Sequence, residues 1–165
     1  MIGREPTQEE LAKLMGKRLE HLPEEVANSE NYTVMPGVEP LLEKLIDDGL
    51  LLGLTTGNVE AAAHIKLARA NLNRFFSFGG YGSDSSDRTE LTRKAIERAG
   101  VVAGAPIDRA AAFSVGDTPR DVEAGHGAGI RVCGVATGEY SVQQLTEAGA
   151  DWAISSFEQG LPPLQ

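Results

Sequence analysis

Two aspartates four residues apart, Asp117 and Asp121, sit in the stretch Gly116-Asp117-Thr118-Pro119-Arg120-Asp121-Val122-Glu123-Ala124. The apolar run before it, Ala110 to Val115, reads as a buried strand, and the small residues after it read as a helix ending near Gly127-Ala128-Gly129. Carboxylates at the carboxyl end of a strand stand where open α/β sheets bind ligands. They are also the oxygen donors that a hard cation such as Mg²⁺ accepts from a protein. The same residues suit a polar turn and a helix N-cap. The glycines and the second aspartate favour a binding site over a plain turn.

The surrounding chain supplies elements to hold such a site. Thr7-Gln8-Glu9-Glu10 is a capping box that opens a helix with Leu11, Leu14, Met15 and Leu19 on one face. Residues 22–35 read as irregular, with at most a short helix at 24–27. Pro36-Gly37 starts a second helix, which stops at Gly49. Leu50-Leu51-Leu52-Gly53-Leu54-Thr55 is a strand buried on both faces, followed by the turn Thr56-Gly57-Asn58. Asn58 is placed to cap an alanine-rich helix over 59–70. A strand is expected from Phe75 to Tyr81 and a loop at Gly82-Ser83-Asp84-Ser85-Ser86. Asp87 with Glu90 caps a helix over 88–99 that Gly100 ends. A strand over 130–136, a helix from Ser141 to Gly149 and a last strand, Asp151 to Ile154, complete the alternation, and Leu161-Pro162-Pro163 closes it. Strands alternating with helices predict an α/β fold, a Rossmann-like parallel sheet with helices on both faces.

With 165 residues the chain can bury a sizeable core as one domain. A net charge of −9 disfavours nucleic acid as a partner, because backbone binding needs clustered Lys and Arg. It also means that an anionic substrate must be attracted locally, by a metal ion, a placed cation or a helix N-terminus. The single cysteine, Cys133, lies in an apolar run and cannot close an internal disulfide, which suits a reducing compartment. There is no apolar leader at the N-terminus and no membrane-length apolar run, so a cytoplasmic location and no membrane partner are expected. His21, His64 and His126 show no metal-ligand spacing, Asp84 and Asp87 read as turn and cap residues, and Trp152 reads as core.

Three pieces in order resemble the haloacid dehalogenase superfamily, within it the phosphoglycolate-phosphatase-like hydrolases. They are the strand ending Thr55-Thr56-Gly57-Asn58, the segment Gly82 to Leu91, and the strand ending Val115-Gly116-Asp117-Thr118-Pro119-Arg120-Asp121. Val135-Ala136-Thr137-Gly138-Glu139-Tyr140-Ser141 and Ala148-Gly149-Ala150-Asp151 fit the same group, and the likeness covers about residues 34–158. The resemblance implies a Mg²⁺-dependent phosphatase for small phosphorylated metabolites that works through an aspartyl-phosphate. It implies that Thr56 donates its hydroxyl to a phosphoryl oxygen beside the N–H groups of Gly57 and Asn58, with Thr55 as runner-up. Arg88 takes the place of the family's Lys or Arg on the phosphoryl group; Lys94 lies nearby but inside the helix. Asp117 would ligate Mg²⁺, and Asp121 would partner it directly or through water.

The family's nucleophile pattern, Asp-x-Asp-x-Thr on a hydrophobic strand, is absent. No two of Asp47, Asp48, Asp84, Asp87, Asp108, Asp117, Asp121 and Asp151 are two positions apart, and no hydrophobic strand precedes residue 34. Residues 1–33, including Gly3-Arg4-Glu5-Pro6, read as part of a helical cap and residues 34–165 as the α/β core, with the central first strand missing. The chain is therefore expected to be inactive alone and to lack the first several dozen residues of the family's pattern. The strands near 50–55 and 110–115 should then lack the strand between them, to be met by direct closure of the gap, by self-association with another chain through the incomplete sheet, or by an N-terminal piece present in the parent protein. A catalytically dead phosphate-binding or scaffold domain of the same fold is the alternative. A phospho-accepting receiver domain fits less well: the acidic pair and the later acceptor Asp and Lys that it needs do not occur in order.

Overall fold

The computed structural model describes residues 4–162; Gly3 and Pro163 of the sequence reading lie outside the described residues. Two parallel sheets form, not one. In the first, β1 (Gly53–Thr56) pairs with β2 (Phe78–Tyr81), Thr56 opposite Tyr81. In the second, β3 (Phe113–Gly116), β4 (Arg131–Val135) and β5 (Trp152–Ile154) lie in that order, Gly116 opposite Gly134. β1 and β3 are not hydrogen-bonded to each other, so the expected gap stands between them. Its β3 wall is wet: Val115 is 38% exposed. In β4, by contrast, Val132 and Cys133 are fully buried. Burial alone pushes the Cys133 thiol up to about 11.

Six helices of more than one turn surround the sheets among the described residues: α1 (Gln8–Asn28), α2 (Val38–Asp47), α3 (Glu60–Ala68), α4 (Arg88–Ala103), α5 (Pro119–Gly127) and α6 (Val142–Glu147). α4 packs on β1 and β2 and also on α5, which itself covers β3 and β4, so α4 spans the gap from beneath. Its approach is close. A Cβ at Gly80 of β2 would lie 1.8 Å from the Leu91 carbonyl oxygen, so only glycine allows this contact. Leu91, Ala95, Ala99, Val122, Val132 and Leu145 form the buried layer between helices and sheets.

The outer edge of β2 is closed by side chains. The Tyr81 amide donates to Asp84 Oδ2 at 2.9 Å, and Arg98 Nη1 donates to the Gly79 carbonyl at 2.6 Å. Arg98 and Asp84 are joined by two hydrogen bonds of 2.7 and 2.8 Å. The Arg98 bonds, then the Tyr81 N–H, hold the Asp84 carboxyl below its ordinary range. Asp84 is thus a sheet-edge plug in addition to a turn residue.

Several boundaries differ from the sequence reading. The first helix runs on through Pro23 to Asn28, where an irregular stretch was expected. Leu22 and Val26 bury against Ala62, and Arg69 Nη1 donates to the Val26 and Ser29 carbonyls at 2.5 and 2.7 Å, offsetting the proline. The predicted apolar face Leu11, Leu14 and Met15 is 49%, 66% and 41% exposed, because only the second half of α1 meets α3. The helix over 88–99 continues past Gly100 to Ala103 and ends at Gly104, whose φ of 70° suits only glycine's freedom at this stop. The first strand begins at Gly53 rather than Leu50, so Thr56 ends the strand instead of opening the turn. Residues 109–111 form a short 3₁₀ turn capped by Asp108, which shortens the strand expected there to Phe113–Gly116. Trp152 is half-buried, its ring under the Arg131 guanidinium at 4.9 Å.

Candidate functional site

The site is built at the carboxyl ends of β1 and β3, where the turn after each strand leads into a helix. At β1 the turn is fixed from the side of β2. The Gly82 amide donates to the Asn58 carbonyl at 2.8 Å, and a Cβ on Gly82 would lie 2.1 Å from the Gly57 carbonyl oxygen. Glycine at 82 therefore lets the Thr56-Gly57-Asn58 corner rest directly on the backbone after β2. Asn58 does not cap α3, whose N-cap is Val59 without a side-chain bond. Its amide nitrogen and its Nδ2 instead both donate to Thr56 Oγ1, at 3.1 and 3.0 Å, and Lys66 Nζ donates to its Oδ1 at 3.0 Å.

At β3 the turn closes into a capping box. Asp121 N donates to Thr118 Oγ1 at 3.3 Å, while Asp121 Oδ2 accepts from Thr118 N and Oγ1 at 3.2 and 2.7 Å. Pro119 at the first helical position strengthens this start. Gly116 makes room for the box: a Cβ there would lie 2.3 Å from Asp121 Cβ. The other oxygen of Asp121, Oδ1, is ion-paired with Arg88 from the first turn of α4. This pair links the two halves of the cleft.

Thr55, Thr56, Gly57, Arg88 and Asp121 line one cleft, with Leu91, Thr92, Ser114, Val115 and Ala124 as its walls and floor. Four of the six predicted site residues, Thr56, Gly57, Arg88 and Asp121, thus share the lining, and Asn58 joins it through Thr56. Lys94, the alternative to Arg88, is turned away in an ion pair with Glu97. Asp117 stands one residue beyond β3 and outside that lining, its Oδ2 lying 2.5 Å from where a Cβ of Gly138 would be. Its carboxylate has no hydrogen-bond or ion-pair partner among the described residues, whereas both oxygens of Asp121 are engaged. No group of three His, Cys, Asp or Glu side chains able to hold a metal ion occurs among the described residues. Mg²⁺ is commonly held by one or two carboxylates plus waters and phosphate oxygens, and Asp117 fits as one such ligand.

Two features escape the sequence reading. Lys66 reaches the β1 corner from two turns along α3, and its only signal is a spacing of eight from Asn58. Ser114 Oγ, beside the cleft, is buried with no hydrogen-bond partner. His64 contacts Asn73 and Tyr81 and His126 contacts Asp151, so both make structural contacts.

Comparison with known proteins places this arrangement in context. Residues 2–135 match the family model described as haloacid dehalogenase-like hydrolase. The chain belongs to that family. It is 29% identical over 123 residues to phosphoglycolate phosphatase of Synechococcus elongatus, an alignment covering 74% of this chain and 55% of that protein. The chain therefore spans about half the length of this curated relative. Among solved structures, CbbY from Rhodobacter sphaeroides in complex with phosphate superposes with a TM-score of 0.71 at 17% identity, covering 94% of this chain and 68% of that one. β-Phosphoglucomutase from Clostridium difficile gives 0.68 at 14% identity, covering 94% and 65%. At these identities the structures speak for the fold, a Rossmann-like α/β layer with parallel strands. No helix among the described residues is long and apolar enough to cross a membrane.

Proposed function

We propose that the cleft between β1 and β3 holds the phosphoryl group of a small phosphorylated metabolite, and that this chain carries part of a phosphatase site. The observation that carries the reading is the meeting of Thr56, Gly57, Arg88 and Asp121, drawn from three separate segments, at the carboxyl ends of two strands. Thr56 supplies a hydroxyl, Gly57 a backbone N–H and Arg88 a guanidinium, the donor types that bind phosphate, while the Asn58 N–H expected to join them is taken up by Thr56 Oγ1. Asp121 holds Arg88 in place until an anion competes for it. Asp117 would hold Mg²⁺, with Asp121 acting through water; the ion would neutralise phosphoryl oxygens. The likeness to a phosphoglycolate phosphatase supports small phosphomonoesters as the substrate class. Among the described residues the one carboxylate in the cleft lining, Asp121, is engaged by Arg88 and Thr118, so this chain alone is expected to bind phosphate without hydrolysing esters. Residues 1–33 are taken as cap and 34–165 as core.

Titration with inorganic phosphate and Mg²⁺, followed by calorimetry, and a para-nitrophenyl phosphate assay test this together. Binding lost in Arg88→Ala, with no turnover, is the expected result. Turnover by the 165-residue chain that Asp117→Ala abolishes would overturn the inactivity, and absence of phosphate binding would overturn the site. A phosphate-binding or scaffold role is the second reading, favoured by the Arg88–Asp121 pair that closes the cleft from within. The exposed facing edges of β1 and β3 further support self-association through strand addition at the gap. Sedimentation of wild type against Val115→Lys checks it: a monomer at all concentrations would end that part of the proposal.

A further inference from the structure

We infer that Lys66, outside the cleft, is a positioning residue that commits the Thr56 hydroxyl to donating into it. The inference rests on the phosphate-binding reading above and adds how the site is set. Lys66 is half-buried, and its ammonium lies within 4 Å of no carboxylate among the described residues, although the chain carries a net charge of −9. Its one partner is Asn58 Oδ1, at 3.0 Å. An ammonium has only protons to offer, so it dictates which end of the carboxamide it faces. With Oδ1 held toward Lys66, the Nδ2 end faces Thr56 and donates to Oγ1 at 3.0 Å. The Asn58 backbone N–H donates to the same oxygen at 3.1 Å.

A threonine hydroxyl has two acceptor lone pairs and one proton. Both lone pairs of Thr56 are engaged by Asn58, and no acceptor among the described residues takes its proton. Thr56 and Arg88 line the same cleft. The hydroxyl proton is left to solvent or to an acceptor brought in by a ligand, and an oxyanion next to a guanidinium is the acceptor that fits. Without Lys66 the carboxamide is free to rotate by half a turn. Its Oδ1 would then take the Thr56 proton, and the hydroxyl would be satisfied internally. Lys66 thus prevents a self-quenched state, through two side chains and with no contact to the ligand.

The test uses the full chain, inorganic phosphate with Mg²⁺ as probe, and a double-mutant cycle of Lys66→Met with Thr56→Val. Lys66→Met is expected to weaken phosphate binding about ten-fold or more, the scale of one hydrogen bond to a charged group. In the Thr56→Val background the same change should cost almost nothing, and Lys66→Arg should restore binding. A mere long-range charge effect would persist in the Thr56→Val background, and that outcome overturns the inference. A ligand-free readout separates its failure from that of the site: the Asn58 side-chain NH₂ signals in ¹H–¹⁵N spectra should shift in Lys66→Met. If phosphate fails to bind but those signals shift, the site reading falls while the positioning stands. Unshifted signals overturn the positioning itself.

Discussion

The outer edge of β2 and the inner edges of β1 and β3 are all unpaired strand edges, yet they are treated in opposite ways. On β2 an amide and a carbonyl are both taken up, by Asp84 and Arg98, and the two side chains are locked to each other. This is how natural sheets blunt an edge that must never accept another strand. Among the described residues no such plug meets the inner edges. β1 and β3 are nowhere fully buried, and Val115 is open to solvent. Parallel strands are usually buried on both faces and paired on both sides, so the wet slot is the anomaly. The contrast teaches that protection in this molecule is selective. The outer edge of β2 is sealed by side chains, and among the described residues the edges of β1 and β3 that face the slot are not.

Three substitutions break or sharpen that contrast. The largest effect is expected from Val132→Lys, which forces a charge into a fully buried position in β4. A loss above about 4 kcal/mol, in effect no folded protein by circular dichroism, is expected from an unpaired buried charge. Arg98→Ala comes next. It removes the Gly79 carbonyl's donor and leaves the Asp84 carboxylate with the Tyr81 N–H alone, for about 1 kcal/mol in denaturant unfolding, since the pair is partly exposed to solvent. The sign with pH follows from the depressed Asp84 carboxyl. Its contribution is fully present above the ordinary carboxylate value of about 4 and is lost as pH falls through the lower folded value, so the difference between wild type and Arg98→Ala should narrow in acid to what the Gly79 bond supplies. The smallest effect is expected at Val115→Lys, within about 0.5 kcal/mol for the monomer, because that wall is already wet. A cost similar to that of Val132→Lys would mean that the slot is closed in solution.

Most of the architecture was legible from local pattern. The boxes at Thr7 and Ser141 cap where expected, as reciprocal side-chain and backbone bonds within four residues are written wholly in the sequence. The gap was legible too, because an absent strand motif implies an absent ladder. What was not legible depended on partners far along the chain. Pro23 marks a helix end by propensity, but packing onto α3 and the Arg69 bonds decide otherwise. Asp84 reads as a turn residue until Arg98, fourteen positions on, makes it an edge plug. Thr56, Gly57 and Arg88, expected together from a family pattern, do share one cleft lining, and their role there belongs to the proposal. Asp121 was expected to help hold a metal ion; in the structure its two oxygens hold Arg88 and Thr118, and the metal role remains part of the proposal. Lys66 was invisible because its effect passes through a carboxamide whose orientation no sequence records.

Helix α4 touches β1 and β2 on one side of the slot and α5 on the other. It acts as a splint across the fracture, and the spacing of the two jaws is therefore inherited from a continuous rod instead of from whatever lies between them. Such a frame behaves like a splinted joint: the distance between the two sheets is set by the helix and not by contact between β1 and β3.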